Sequence, residues 1–149
     1  MTDSYEIRTV QAEDITALEG LLRKNDLPVC GLSECWQDFF VAMQEQRLIG
    51  SIGLVNSGKD GLLRSLAVAV DCRGEGVAGN LLEKALAKAR AAGLQELYLL
   101  TGTAKEYFLR KGFTQLERTL LPDGILKAAG MENACFACRD CLKINLKDE

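Results

Sequence analysis

Residues 62–93 constrain the fold most, because they join a strand, a glycine-rich turn and a helix in that order. An apolar, partly β-branched run predicts a strand over 62–70, and the spacing of apolar residues predicts a helix over 76–92. Glycines between them let the chain take positive φ angles and let a ligand approach the main chain. Because the first N–H groups of a helix have no acceptor within it, this arrangement favours a phosphate-bearing ligand.

One interpretation of the turn is a dinucleotide site. Gly74, Gly76 and Gly79 match the spacing G-x-G-x-x-G. That interpretation requires an acidic residue about 20 residues further on, at a strand end, where this chain has Leu99 and Leu100. The turn also lies in the middle of the chain, with no second strand–helix repeat after it. The dinucleotide interpretation is therefore disfavoured.

A longer pattern fits the turn better. Arg73-x-x-Gly76-x-Ala78 follows the predicted strand, and a second segment reads Ala104-x-x-Tyr107-Phe108-x-x-x-Gly112-Phe113. The first resembles the acetyl-CoA pyrophosphate loop of the GNAT superfamily of N-acetyltransferases, and the second is similar to that superfamily's closing motif. The resemblance covers essentially the whole chain. It implies one α/β domain over residues 1–149, with a mixed sheet of about seven strands and helices on both faces.

The resemblance implies acetyl-CoA as co-substrate. Main-chain groups of the strand before the turn would hold the pantetheine arm, and the turn would hold the pyrophosphate. The residues so implied are Leu66, Ala67, Val68, Arg73, Gly74, Glu75, Gly76, Val77, Ala78 and Gly79. For the Arg73 side chain two interpretations stand, a contact to the anion or a solvated side chain in an ordinary tight turn.

Three further residues are implied to lie along the co-substrate: Thr101, Ala104 and Phe108. Thr101 and Thr103 would stand where acceptor and thioester meet, with Thr103 assigned to the acceptor. Their hydroxyls could instead cap the helix that begins near Ala104. Both interpretations are kept.

The catalytic acid is not assigned. Many members of the superfamily carry a tyrosine four residues before the Gly-Phe pair, where this chain has Phe108, which has no proton to give. Tyr107 is adjacent, but neighbouring residues on a helix point about 100° apart. A thiol leaving group with a pKa near 8.5 can depart without a strong acid, so the change is compatible with transfer. The absence of histidine excludes a Ser-His-Asp arrangement.

Arg64 stands out because it lies within an otherwise apolar strand. Burial of an unpaired guanidinium is costly, so we expect it to meet a carboxylate. That carboxylate belongs either to the chain itself or to the acceptor, since arginine pairs with carboxylates in a bidentate manner.

A narrower resemblance concerns the acceptor. Three segments resemble small arsenic-resistance N-acetyltransferases and the acetyltransferase domain of N-acetylglutamate synthases, namely residues 62–68, residues 97–101 and Pro122-x-x-Ile125. Acceptors in both groups are amino acids or their analogues. The resemblance therefore implies direct acetyl transfer, in a ternary complex, to the amine of a small amino-acid-like acceptor.

The cysteines suggest an alternative from another class. Cys135, Cys138 and Cys141 form a C-x-x-C-x-x-C run, and thiolates at such spacing bind soft metals or metalloids. The chain would then be a non-catalytic sensor of CoA or of such an ion. The competing interpretation is that these cysteines are buried small hydrophobic residues, and we assign no metal ligand.

Composition limits the partners. The net charge of −3 does not indicate nucleic-acid binding, since such proteins are usually basic. No apolar run approaches the roughly 18 residues of a membrane span, and the polar start of the chain shows no leader. We expect a cytoplasmic protein whose partner is a small-molecule amine, with reduced cysteines. A homodimer is compatible with the resemblance.

The remaining elements follow from periodicity and turn residues. Strands are expected at 5–9, 39–43, 48–55, 96–100, 112–119 and 142–146. Helices are expected at 13–24 and 104–111, with shorter ones at 31–37 and, as helix or loop, at 122–129. The turns are expected at 45–47 and 56–61, and Gly93 should end the long helix.

Overall fold

A computed structural model describes residues 4–27, 29, 32, 36–102, 104–122, 124–128 and 140–146. Its strands are β1 (Glu6–Thr9), β2 (Phe39–Gln44), β3 (Arg47–Ser57), β4 (Asp60–Val68), β5 (Glu96–Thr101), β6 (Thr114–Leu116) and β7 (Asp140–Asn145). Its α-helices are α1 (Ile15–Lys24), α2 (Val77–Ala91), α3 (Lys105–Arg110) and α4 (Ile125–Ala128).

The seven strands form one mixed sheet in the order β1-β2-β3-β4-β5-β7-β6. Only the central β4–β5 pair is parallel, and the long helix α2 connects these two strands. The other neighbours run antiparallel. The fold class expected from the sequence is confirmed.

The sheet has a core on each face. On one face α2 packs through a stripe of apolar residues at helical spacing, and Phe108 of α3 joins the same cluster. On the other face Leu18 and Leu22 of α1 pack with Ile125 of α4. Gly50 lets α2 approach β3, because a Cβ there would lie 2.9 Å from a methyl carbon of Leu81. Helices therefore cover both faces.

Several predicted boundaries shift. The 112–119 strand was too long, since β6 is Thr114–Leu116 and a 3₁₀ turn follows at Arg118–Leu120. Gly112 takes a positive φ of 100° instead of extending the strand, and together with Phe113 it closes the end of α3 by Schellman hydrogen bonds. Gly93 ends α2 in the same way, as expected.

Smaller shifts occur elsewhere. β4 begins at Asp60 and ends at Val68, because a 3₁₀ turn takes Val70–Cys72. A 3₁₀ turn at Ala12–Asp14 precedes α1, where the sequence predicted helix from residue 13. The final strand begins at Asp140. The helix predicted at 31–37 lies largely outside the described residues, while Trp36–Asp38 forms a 3₁₀ turn.

None of the helices within the described residues combines the length and the apolar character that crossing a bilayer requires.

Candidate functional site

The parallel strands β4 and β5 separate at the centre of the sheet. Their pairing covers Asp60, Gly61 and Leu62 of β4 and ends there, although β4 continues to Val68 and β5 to Thr101. β5 remains paired with β7 along its whole length. Among the described residues, the edge of β4 that faces β5 therefore has no strand partner over residues 63–68, which include the predicted pantetheine contacts Leu66, Ala67 and Val68.

A β-bulge accounts for this separation. Arg64 pairs with Gly53 and Ala67 with Ser51, so two residues of β4 lie opposite one residue of β3. Ser65, the first bulged residue, has a φ of +62°. Its carbonyl accepts a hydrogen bond of 2.8 Å from the fully buried Ser51 hydroxyl. Because a bulge bends its strand and increases the local twist, β4 departs from β5 beyond Leu62.

Residues 69–76 connect β4 to α2, and the glycine turn predicted over 73–79 includes the first three residues of that helix. Gly74 and Gly76 have φ angles of +82° and +85°, and a Cβ at either residue would lie more than 4 Å from every described heavy atom other than those of the glycine and its chain neighbours. The first 5→1 hydrogen bond after Gly76 runs from the Asn80 N–H to the Gly76 carbonyl. The N–H groups of Val77, Ala78 and Gly79 thus have no acceptor within the helix, and the first turn of α2 contains no acidic residue. This turn has the geometry of an anion-binding site.

Arg73 takes a role that neither sequence interpretation included. Its Nε donates to the Val68 carbonyl at 3.3 Å, and its Nη2 donates to Oδ1 of Asn25, just beyond α1. The guanidinium therefore fastens the glycine turn to the end of β4 and to the other face of the sheet. Its contact to a bound anion stays a prediction.

Arg64 is buried on the face of the sheet covered by α1. Only 5% of it is exposed, its Nε donates to the Ser65 hydroxyl at 3.0 Å, and the guanidinium carbon lies 5.8 Å from the centre of the Phe39 ring. Gly53, opposite Arg64 in register, leaves room for that ring, because a Cβ there would come within 2.6 Å of it. A desolvated, oriented guanidinium thus lies on the part of β4 that has left β5. Both of its predicted roles stand.

At the start of α3, Thr101 is buried and its Oγ1 accepts a hydrogen bond of 2.9 Å from the Ala104 N–H. The bond holds Ala104, the residue just before α3, and it is not a side-chain cap of the helix's first turn. It leaves the hydroxyl hydrogen of Thr101 for a second partner, so the contact to the co-substrate stays a prediction. Thr103 lies outside the described residues, so its assignment to the acceptor stays a prediction.

The aromatic pair of α3 divides into an apolar and a polar member. Phe108 is buried and packs edge-on against Phe113, with ring centres 5.4 Å apart. The Tyr107 hydroxyl oxygen is also buried and has no hydrogen-bond partner among the described residues. Burial raises the pKa of Tyr107, so the phenol stays protonated at neutral pH. Neither Phe108 nor Tyr107 is therefore assigned as the catalytic acid.

Lys111 was missed by the sequence analysis. Its Nζ lies 5.4 Å from the centre of the Tyr107 ring and 3.7 Å from the position that a Cβ of Gly79 would take. The spacing of four residues between Tyr107 and Lys111 was a visible signal of their contact. The proximity to Gly79 is tertiary and could not be seen.

Two cysteines of the C-x-x-C-x-x-C run, Cys135 and Cys138, lie outside the described residues, and the third, Cys141, lies within them. Cys72 and Cys141 are buried free thiols, and burial raises the pKa of Cys141, so it stays protonated. No group of three or more histidine, cysteine, aspartate or glutamate residues within the described part of the chain is placed to hold a metal ion. The metal or metalloid interpretation stays untested, and Cys141 behaves as a small core residue.

Comparisons with known proteins agree with this geometry. Residues 35–115 match the model of the acetyltransferase (GNAT) domain. An uncharacterized N-acetyltransferase of Chlorobaculum tepidum is 32% identical over 108 residues, which cover 72% of this chain and 68% of that protein. An amino-acid acetyltransferase of Ralstonia nicotianae is 33% identical over 88 residues, which cover 58% of this chain but only 20% of that protein.

Among solved structures, the fold is similar to that of N-acetylglutamate synthase from Neisseria gonorrhoeae, complexed with coenzyme A and N-acetyl-glutamate. The TM-score is 0.82 and the identity 21%, and the match covers 98% of this chain and 36% of the synthase. At this identity the likeness concerns the fold alone.

Proposed function

The chain belongs to the GNAT family of acetyltransferases, and we propose that it acetylates the amine of a small acceptor that carries a carboxylate. As a member of that family it is an acetyl-CoA-dependent N-acetyltransferase. The proposed acceptors are amino acids and their analogues. The carrying observation is the buried guanidinium of Arg64 on the diverging part of β4.

The central region of the sheet fits the co-substrate. A strand edge without a strand partner at residues 63–68 can hydrogen-bond an amide-bearing pantetheine arm in place of the missing strand. The open glycine turn and the first N–H groups of α2 suit a pyrophosphate. Acetyl-CoA supplies an activated acetyl thioester, which the acceptor amine attacks directly in a ternary complex.

Arg64 supports a carboxylate-bearing acceptor through its position and its environment. The bond from Nε to the Ser65 hydroxyl and the Phe39 ring above the guanidinium fix its plane. A fixed, desolvated guanidinium binds a carboxylate more strongly than an exposed one does, because fewer rotamers are lost and less water screens the pair. An amino-acid acceptor would then place its carboxylate on one face of β4 and its amine toward the thioester.

Proton transfer in this proposal needs no tyrosine at position 108. The departing thiolate belongs to a thiol with a pKa of about 8.5, so its expulsion is feasible at neutral pH. The proton lost by the amine passes to a carboxylate, a cysteine or water, since the chain has no histidine.

The experiment compares carboxylate-bearing acceptors with matched amines that lack the carboxylate, after a screen of amino acids and their analogues. Arg64→Met removes the charge and keeps much of the volume, and Ser65→Ala removes only the acceptor of the Nε bond. We expect Arg64→Met to raise the KM of the carboxylate-bearing acceptor by about tenfold to a hundredfold, given the strength of hydrogen bonds to charged groups. Ser65→Ala should raise the KM of the same acceptor several-fold.

Three controls make the result specific. The KM of the matched amine should not change in either variant, and the Kd of acetyl-CoA should stay at its wild-type value. Lys88→Met, a charge removal on the exposed side of α2, should leave all three quantities unchanged. If Arg64→Met lowers only the melting temperature and leaves the acceptor KM unaltered, the interactions of Arg64 serve the fold alone and the carboxylate assignment fails.

A further inference from the structure

Tyr107 and Lys111 lie one turn apart on α3 and its C-cap, beside the first turn of α2. The Lys111 Nζ is 5.4 Å from the centre of the Tyr107 ring, within the range of a cation–π contact. The same nitrogen is 3.7 Å from the position of a Cβ at Gly79, the third residue of α2. The ring thus holds an ammonium group against the end of a helix.

The Lys111 side chain is exposed, and the helix end repels its charge weakly unless an anion is also present. The N-terminus of a helix carries the equivalent of about +0.5 elementary charge. The first turn of α2 has no acidic residue, and of the two acidic side chains between β4 and α2, Glu75 is exposed and Asp71 pairs with Arg47. Among the described residues, Lys111 takes part in neither an ion pair nor a hydrogen bond. Two positive groups therefore face one region, and an anion there would interact favourably with both.

One further observation concerns the same region. Gly79 lies inside a helix without a positive φ, where alanine is the better helix former, so the glycine serves to keep this side of the turn bare.

We propose that Lys111 binds a phosphate group of acetyl-CoA together with the first turn of α2, and that Tyr107 is the residue that positions it. The proposal rests on the acetyl-CoA site described above and is independent of the acceptor. Tyr107 acts through Lys111, by placing the ammonium where a phosphate bound at residues 77–79 can reach it.

Lys88 provides a matched control. Its Nζ lies 5.2 Å from the centre of the Phe40 ring, so it makes the same kind of contact, but it lies in the last turn of α2. Loss of a cation–π contact as such should therefore affect Lys88→Met and Lys111→Met alike. Loss of a phosphate contact should affect Lys111→Met alone.

The test measures dissociation constants by calorimetry for two ligands, acetyl-CoA and the phosphate-free S-acetylpantetheine. We expect Lys111→Met to raise the Kd of acetyl-CoA about tenfold, Lys111→Arg to restore most of the affinity, and Lys88→Met to have no effect. The Kd of S-acetylpantetheine should be the same in all four proteins. The affinity of the wild type for acetyl-CoA should also fall more steeply with added salt than that of Lys111→Met.

The positioning role of Tyr107 is tested by a double-mutant cycle. Tyr107→Phe keeps the ring, so its Kd for acetyl-CoA should stay close to that of the wild type. Tyr107→Leu removes the ring and should raise this Kd. In the Lys111→Met background, Tyr107→Leu should have little further effect, because its action passes through the ammonium. Strictly additive effects would remove Tyr107 from the proposal.

The outcomes separate this proposal from the site on which it rests. If the wild type binds acetyl-CoA and Lys111→Met binds it equally well, the Lys111 proposal fails and the co-substrate site stands. If Lys111→Met weakens both ligands equally, the lysine has a structural role only. If the wild type binds neither ligand, the co-substrate site itself fails.

Discussion

The two sides of β4, where it diverges from β5, differ in the groups available to a ligand: backbone groups on one side and side chains on the other. The side proposed to bind the co-substrate, the co-substrate side, consists mainly of backbone, namely the strand edge at 63–68, the glycine turn and the N–H groups of α2, to which Lys111 is proposed to add a side chain. The side proposed to bind the acceptor, the acceptor side, depends on side chains, with Arg64 held between Ser65 and Phe39. Changes in φ should therefore damage co-substrate binding, whereas changes in packing should damage acceptor binding. A backbone site also suits a ligand shared by a whole family, while side chains can vary with the acceptor.

The largest expected effect comes from Gly76→Val. Gly76 has a φ of +85°, a conformation that costs a residue with a Cβ about 1–2 kcal/mol. The valine side chain would also enter the open space before α2. Because the N–H groups of α2 would also be redirected, we expect the Kd of acetyl-CoA to rise more than about 100-fold, which is some 2.7 kcal/mol. Calorimetry gives the Kd and thermal unfolding gives the loss of stability.

Gly58→Val is the matched control for that variant. Gly58 has a φ of +66° and equally open surroundings, but it lies in the turn between β3 and β4. It should lose a similar amount of stability and keep its acetyl-CoA affinity. Equal affinities in the two valine variants would contradict the assignment of the glycine turn.

Gly53→Ala tests the acceptor side. Its Cβ would lie 2.6 Å from Cε1 of Phe39, so the ring must move away from its place above Arg64. Overpacking of this kind costs about 1–3 kcal/mol. We expect a lower urea midpoint and a raised acceptor KM, with the Kd of acetyl-CoA unchanged.

Two variants sharpen the Gly53→Ala result. Gly20→Ala adds the same methyl group within α1, where nothing lies within 4 Å, and should stabilise the protein by about 0.5–1 kcal/mol. The double variant Gly53→Ala/Phe39→Leu should lose less stability than the sum of the losses in the two single variants, because the smaller side chain relieves the overlap. Full additivity would show that the ring and Gly53 do not constrain one another.

The conformation of the glycine turn was predictable from sequence, because closely spaced glycines between a strand and a helix favour positive φ. Gly74 and Gly76 marked the turn, and the apolar spacing after them marked α2. The predicted residues of the turn are contiguous in the chain, so their arrangement depends on local geometry. Lys111 escaped notice because its approach to Gly79 depends on how α3 packs beside α2.

The acceptor side and the divergence of the strands were less predictable. Ser65 is not a residue that signals positive φ, and its bulge depends on Ser51, which is 14 positions earlier. The sequence shows Arg64 as a charge within an apolar run, but its contact with Phe39 is made across the sheet and is not visible there. The over-long strand at 112–119 has a different origin, because Gly112 closes α3 through bonds to residues three to five positions earlier, which is the local signal that predicted the end of α2 at Gly93.

The smallest expected effect is that of Asp14→Asn, which tests a part of the scaffold remote from both sides of the site. Asp14 accepts two hydrogen bonds from Arg8, at 2.8 and 3.2 Å, and a third from the Gln11 N–H at 2.8 Å. Its bonds with Arg8 hold the pKa of the Asp14 carboxyl below its ordinary value. A lowered pKa in the folded state stabilises the protein above the unfolded value of about 3.9, and this contribution disappears as the pH falls through the folded value.

We therefore expect Asp14→Asn to lower the free energy of unfolding by about 1 kcal/mol near pH 7 and by progressively less below about pH 4. Asp71→Asn is the matched control, because Asp71 pairs with Arg47 in the same bidentate way, but both side chains are more than half exposed. It should cost less, since water screens an exposed pair. Neither variant should alter the Kd of acetyl-CoA or the acceptor KM. A difference between wild type and Asp14→Asn that persists unchanged at pH 3 would show that the carboxylate charge is not what stabilises this corner of the fold.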